Sequence, residues 1–226
     1  MIKATQKPLA EIMENIGNHK KILVAGCGTC TSICFSGGER ETGLLASEIK
    51  MALGMAGKQA DVDTTTIQRQ CEIEFIEESK DKIKDRDAIV SLACGVGAQV
   101  IAQQYPDIDV LPGLNTLFMG PPKELGFWYE NCQGCGDCIL HLTGGICPIA
   151  RCAKSLLNGP CGGCEEGKCE TSKDIDCAWS LIVEKLGKKG KLELLDRLWE
   201  AKDWSKSRDG GQRVIIREDL IIKKEK

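Results

Sequence analysis

The run Cys132-Gln-Gly-Cys135-Gly-Asp-Cys138 sets three thiols at intervals of two residues, and Cys147-Pro148 follows in the same stretch. Thiolates in that order wrap one face of an iron-sulfur cluster, and in two-cluster ferredoxins the Cys before Pro serves the other cluster. One-electron transfer is the chemistry this spacing indicates. Nine of the fourteen cysteines lie in this half: Cys132, Cys135, Cys138, Cys147, Cys152, Cys161, Cys164, Cys169 and Cys177. Eight ligands satisfy two 4Fe-4S clusters and leave one thiol over. By the ferredoxin analogy Cys132, Cys135 and Cys138 share one cluster with a distant cysteine, Cys147 helps to hold the second, and the partition of the rest stays open. Zinc is the competing occupant. Structural zinc takes two separated Cys pairs, of which Cys161-Gly-Gly-Cys164 supplies one, whereas a third close thiolate in the first loop suits a cluster. Glycines at 134, 136, 144, 145, 162 and 163 let backbone amides approach thiolates or sulfides and serve either metal.

Five further thiols need a scaffold to bring them together. Leu9, Ile12, Met13 and Ile16 recur at helical spacing, and Lys21-Ile-Leu-Val-Ala25 then reads as a first buried strand. Leu44, Leu45, Ile49 and Leu53 mark a helix between Gly38 and Met55, and residues 62–67 form a β-branched second strand. Ile73, Ile76 and Ile83 give a helical pattern over 71–84, residues 87–92 a third strand, and 98–104 a helix leading to a short fourth strand near Val110. Repeated βα units imply a parallel sheet with helices on both faces. The expected class is α/β, a small flavodoxin-like parallel sheet with the second strand outermost, then the first, third and fourth. Cys27, Cys30 and Cys34 then follow the first strand, Cys71 the second and Cys94 the third, all at the carboxyl edge where doubly wound sheets bind ligands. A zinc ion or a further cluster held by Cys27, Cys30, Cys34 and one of Cys71 or Cys94 is the expected N-terminal site. Buried cysteines also serve as small apolar side chains, which is the competing role for Cys71 and Cys94. The sequence argues against a dinucleotide loop, because Thr31 stands where Gly26-Cys-Gly28 needs its third glycine and no acidic residue ends the second strand.

The composition bounds the rest. At 226 residues with 42% apolar content the chain is long enough for one ordinary domain and a smaller one. Thirty basic against 33 acidic residues leave a net charge of -3, no electrostatic basis for nucleic-acid binding. No apolar run approaches the roughly 20 residues of a membrane span, and MIKATQKPLAEIMENIG lacks a secretory apolar region, so the expected location is cytoplasmic, without membrane insertion. Fourteen thiols in a reducing cytosol read as metal ligands, and with only His19 and His141 present those sites are all-thiolate.

From Pro112 the chain reads as loop-rich, with Gly120-Pro-Pro122 as the boundary. This divides it into an α/β domain, 1–120, and a cysteine-rich iron-sulfur module with a helical C-terminal part, 121–226. A segment with so little apolar periodicity needs another source of order, which metal-ligand bonds supply. After Cys177, Trp179, Leu181, Ile182 and Leu186, then Leu192, Leu195, Leu198 and Trp199, predict two short amphipathic helices broken at Gly187 and Gly190. Val214-Ile-Ile216 and Leu220-Ile-Ile222 make an apolar tail suited to lying on a partner chain, ahead of a solvated Lys223-Lys-Glu-Lys226.

On these residues the chain resembles the small, cysteine-rich, MetV-type subunit of two-component methylenetetrahydrofolate reductases. The resemblance is carried by the stretch from Cys132 to Pro148, by Asn158-Gly-Pro-Cys-Gly-Gly163, Gly167-Lys-Cys-Glu170 and Asp176-Cys-Ala-Trp179, and in the first half by Cys27-Gly-Thr-Cys-Thr-Ser-Ile-Cys34, Arg69-Gln-Cys71 and Ser91-Leu-Ala-Cys-Gly95. It extends to about Trp204, and the C-terminal module also occurs fused to larger reductases. It implies an iron-sulfur electron-transfer and scaffolding subunit, itself non-catalytic. Its partner would be a flavin-containing barrel subunit carrying FMN or FAD, which reduces methylenetetrahydrofolate to methyltetrahydrofolate in one-carbon metabolism. An unidentified electron-donor protein is implied as well. It further implies Cys132, Cys135, Cys138, Cys147, Cys152, Cys161, Cys169 and Cys177 as cluster ligands, with Cys164 the spare thiol and zinc also associated with the family. The sequence shows no folate pocket or flavin motif of its own. Two other readings stand beside this one: a zinc-only structural binding subunit, and an N-terminal zinc centre with an open position for methyl transfer.

Overall fold

The computed structural model describes residues 1–207, 211–217 and 219. The chain divides into two units, Met1–Tyr129 and a second beginning at Glu130. In the first, the order is β1 (Ile2–Gln6), α1 (Leu9–Ile16), β2 (Lys21–Cys27), α2 (Cys30–Ile33), α3 (Glu39–Met55), β3 (Asp61–Ile67), α4 (Ile73–Glu77), α5 (Lys80–Ile83), β4 (Ala88–Leu92), α6 (Gly95–Gln104), β5 (Asp109–Pro112), β6 (Leu114–Met119), β7 (Pro122–Glu124) and β8 (Phe127–Trp128).

The four expected strands are β2 to β5, and their order in the sheet, β3-β2-β4-β5, is the expected one. All three pairings are parallel. Strand β2 shows why helices must cover both faces: Ile22 and Val24 point into a core made with Ile12, Ile16, Leu45, Ile49 and Leu53, while Leu23 and Ala25 point into the opposite core with Ile76, Ile83 and Ile101. Each fully buried Ile or Leu contributes roughly 1.5–3 kcal/mol. Glu39 and Glu41 lie in the first turn of α3, where they complement the helix dipole. The Glu41 carboxylate also accepts the Gly38 N–H at 3.1 Å, fixing where the helix starts.

Three details depart from the sequence reading. Residues after Pro112 are not loop: β6 pairs antiparallel with β1, from Gln6 opposite Leu114 to Ile2 opposite Met119. Neither strand has a clean apolar alternation, so only their pairing across the chain reveals them. The helical pattern over 71–84 breaks at Glu78 and Ser79 into the short α4 and α5. Gly120-Pro-Pro122 leads into the β7–β8 hairpin, which stays with the first unit.

The second unit contains α7 (Pro148–Arg151), β9 (Cys164–Glu165), β10 (Lys168–Cys169), β11 (Ser172–Asp176) and α8 (Ala178–Lys188), with 3-10 turns at Leu192–Leu195 and Trp204–Lys206. Strands β9, β10 and β11 form a small antiparallel sheet with β10 in the middle. Its apolar centre is Trp179, Ile182 and Leu186 on α8, with Ile146, Leu156, Leu194, Leu195 and Trp199 against them. Helix α8 runs through Gly187 without breaking, and the second predicted helix is only the 3-10 turn Leu192–Leu195. Val214, Ile215 and Ile216 are exposed, whereas the rest of the expected apolar tail, 220–222, and the lysine run, 223–226, lie outside the described residues.

Candidate metal centres

The start of the second unit is the Cys132–Cys138 loop. Gly134 adopts a positive φ of 65° and its N–H donates to Cys132 Sγ at 3.4 Å, the kind of amide contact that stabilises a thiolate. Gly136 also has positive φ, 80°, and a Cβ there would stand 2.3 Å from the Lys206 carbonyl, so the loop packs tightly on residues 202–206. Lys202 in that segment is buried, 7% exposed, and its ammonium donates to the Asp137 carbonyl. The Cys135 thiol donates to the same carbonyl at 3.7 Å. Cys147 and Cys152 flank the single turn of α7 at its two ends.

Further along, Asn158 makes two hydrogen bonds to the backbone of Trp199, its Nδ2 donating to the carbonyl and its Oδ1 accepting the N–H, both at 2.8 Å. Gly159 lies on the face of Trp179, where a Cβ would meet ring atoms at 2.5 Å. The Trp179 ring in turn stands 5.9 Å from that of Trp199, centre to centre. Asn158 and Gly159 thereby fix the approach to Cys161, a role with no local signature in the sequence. Lys154 Nζ lies 3.9 Å from Cys161 Sγ and pairs with Glu170. The Thr171 hydroxyl and amide hold the Cys169 thiol below its ordinary value, with Lys154 adding to the effect. Burial pushes the Cys177 thiol up, and the neighbouring Cys164 thiol raises it further.

In the first unit, Cys27 ends β2 and Cys94 immediately precedes α6. Burial raises the Cys71 thiol, and the Cys94 and Cys27 thiols raise it further, so these three are neighbours at the carboxyl edge. Cys30 is half-buried at the start of α2. Cys34 is turned toward β1: its thiol stands 3.1 Å from Ser36 Oγ and 3.8 and 3.9 Å from the carbonyls of Ala4 and Ile2. Thr31 is buried, and its hydroxyl donates to the Leu92 carbonyl at 2.9 Å, occupying the place a dinucleotide loop keeps for glycine. Gly37 approaches the same carbonyl so closely that a Cβ would stand 2.0 Å from it.

Gln70 went unnoticed in the sequence because nothing local marks a glutamine as buried. It is fully buried, its Nε2 donating to the carbonyls of Ala25 and Gly26 at 2.9 and 2.8 Å and its Oε1 accepting from Ser91 Oγ at 2.7 Å. One side chain therefore ties β2 to β4 and positions Cys71 next in sequence. Losing one partner of such a buried network costs about 1–3 kcal/mol.

All fourteen thiols are free. Among the described residues no three Cys, His, Asp or Glu side chains are already gathered as a metal-holding group. The donor chemistry nonetheless fits a thiophilic centre: fourteen cysteines stand against two histidines, and the first loop offers an amide to a thiolate. Fold and donors together define a two-part protein, a doubly wound α/β unit followed by a thiol-rich module. Residues 111–205 match the sequence profile of a family described as Methylene-tetrahydrofolate reductase C terminal, so the cysteine-rich segment is similar to that C-terminal region. The match begins within β5, and residues 1–110 lie outside it. No curated protein and no solved structure matches the chain.

Proposed function

We propose that this chain is the iron-sulfur electron-transfer and scaffolding subunit of a methylenetetrahydrofolate reductase complex. The observation that carries the reading is the concentration of nine free thiols within the second unit, inside the segment similar to that reductase's C-terminal region. Clusters bound there supply one-electron transfer toward a flavin, FMN or FAD, on a barrel-shaped partner subunit that reduces methylenetetrahydrofolate to methyltetrahydrofolate. The chain's own residues hold and tune. Cys132, Cys135 and Cys138 present thiolates from one loop, Gly134 donates an amide to the first of them, and Lys202 holds the loop through the Asp137 carbonyl. Cys147, Cys152, Cys161, Cys169 and Cys177 furnish the other expected ligands. In the first unit, Gln70 holds the strand ends near which Cys27, Cys71 and Cys94 lie, with Cys30 at the start of α2. That edge suits zinc or a further cluster.

Purification without oxygen, followed by iron and acid-labile sulfide analysis, tests the proposal. The expected result is a brown protein with at least about eight iron and eight sulfide per chain, as two 4Fe-4S clusters require, that co-purifies with a flavoprotein. A colourless, folded chain containing only zinc overturns it.

A further inference from the structure

Cys161, Cys164, Cys169 and Cys177 all belong to the β9-β10-β11 sheet or to the turns that enter and leave it. Cys164 and Cys169 are directly opposed across β9 and β10. Opposed residues of an antiparallel pair send their side chains to the same face, with Cβ atoms about 4.5–5.5 Å apart. Cys177 follows β11, whose last residue, Asp176, pairs with Lys168 of β10. Its N–H donates to the Gly167 carbonyl at 2.8 Å, which brings it back against the β9–β10 turn. Its thiol meets that of Cys164. Cys161 approaches from the opposite end through Gly162, whose positive φ of 82° turns the chain into β9. The same Lys154 that stands 3.9 Å from Cys161 Sγ acts on the Cys169 thiol. Lys154 thus lies near both Cys161 and Cys169, Cys169 is opposed to Cys164 across the sheet, and Cys177 neighbours Cys164.

Resting on the reading of this module as thiolate-held metal, we propose that Cys161, Cys164, Cys169 and Cys177 are the four ligands of one centre. Cys164 is then a ligand, whereas the family resemblance leaves it over. Cys132, Cys135 and Cys138, with one of Cys147 and Cys152, serve a separate centre. Four thiolates complete the coordination of either a zinc ion or a cluster, the two occupants this sheet suits. Leaving Cys164 out would strand a thiol between two of its own neighbours that bind metal.

The test uses the full chain purified without oxygen, as parent, Cys164→Ser, Cys169→Ser and the double variant, with iron, sulfide and zinc counted in each. Each single variant is expected to lose the content of one centre, about four iron and four sulfide or one zinc, and the double variant to lose no more. Cys164→Ser with the parent's full metal content overturns the proposal. Should the variants fail to fold, thiol alkylation of the native parent decides: Cys161, Cys164, Cys169 and Cys177 are protected together and become reactive together on chelation. Modification of Cys164 while the other three stay protected overturns it. A parent holding zinc but no iron defeats the electron-transfer reading alone, and the same variants then decide the four-ligand centre by zinc loss. A parent free of metal defeats both.

Discussion

Met1–Tyr129 buries twenty-four apolar residues, most of them on the two faces of one parallel sheet, whereas the described residues from Glu130 onward bury only five: Ile149, Ala178, Trp179, Ile182 and Leu186. The second region has nine cysteines and the first has five. A unit with so small an interior gains little from removing apolar surface from water, so its order must draw on other bonds. Thiolate-metal bonds are the proposed source, and they couple the order of the module to its cargo. In the first unit the cysteines sit on a scaffold that apolar packing already supports. On that proposal the same residue type has two physical roles in one chain: a load placed on a finished fold, and a component without which the fold loosens.

Stripping metal from the intact protein under anaerobic conditions is the strongest way to break this contrast. Amide exchange across 130–207 is expected to approach that of an unfolded chain, while Met1–Tyr129 keeps its protection. If both regions remain equally protected, the second does not depend on metal. A smaller effect runs the other way. Ile49 is fully buried, and Ile49→Ala is expected to destabilise the first unit by about 2–5 kcal/mol in denaturant titration, with the metal content of the second unchanged. Loss of metal from that variant would show the units to be coupled.

The smallest effect concerns His19, which tethers the end of α1 and the edge strand β5. Its Nδ1 lies 2.7 Å from the Ile16 carbonyl and its Nε2 2.9 Å from Asp109 Oδ2. The Ile16 carbonyl first, and then Asp109 and Asp87, raise its pKa above the ordinary 6.5. Because the folded value is raised, its contribution is complete below about pH 6.5 and is lost as pH rises through the folded value. The stability advantage of the parent over His19→Gln should therefore shrink between pH 6 and 8, by about 0.5 kcal/mol given the solvent screening of Asp109. Equal stability of the two at both pH values would remove this tether from the account.

The sheet of the first unit was legible in the sequence because each central strand is a continuous apolar run and the helices between them keep their period. The β1–β6 ribbon was not, since Ile2–Gln6 and Leu114–Met119 gain their register only from each other. At the carboxyl edge, the gathering of Cys27, Cys71 and Cys94 followed from topology alone. The inward turn of Cys34 did not, because a one-turn helix such as α2 has no period to read. Cysteine spacing announced thiolate chemistry in the second unit, but strands of two residues, β9 and β10, leave no local pattern, so the placement of Cys164 opposite Cys169 needed coordinates.

The double grip of Asn158 on Trp199, 41 positions further along, turns the segment between them into a closed circuit. Cys161, Cys164, Cys169 and Cys177 fall inside that circuit, and Cys132, Cys135, Cys138, Cys147 and Cys152 fall outside it. Joining the ends of so long a segment removes much of the freedom it would otherwise surrender when a metal arrives. On the four-ligand proposal, the enclosed thiols would form a lobe that loads separately from the five outside it.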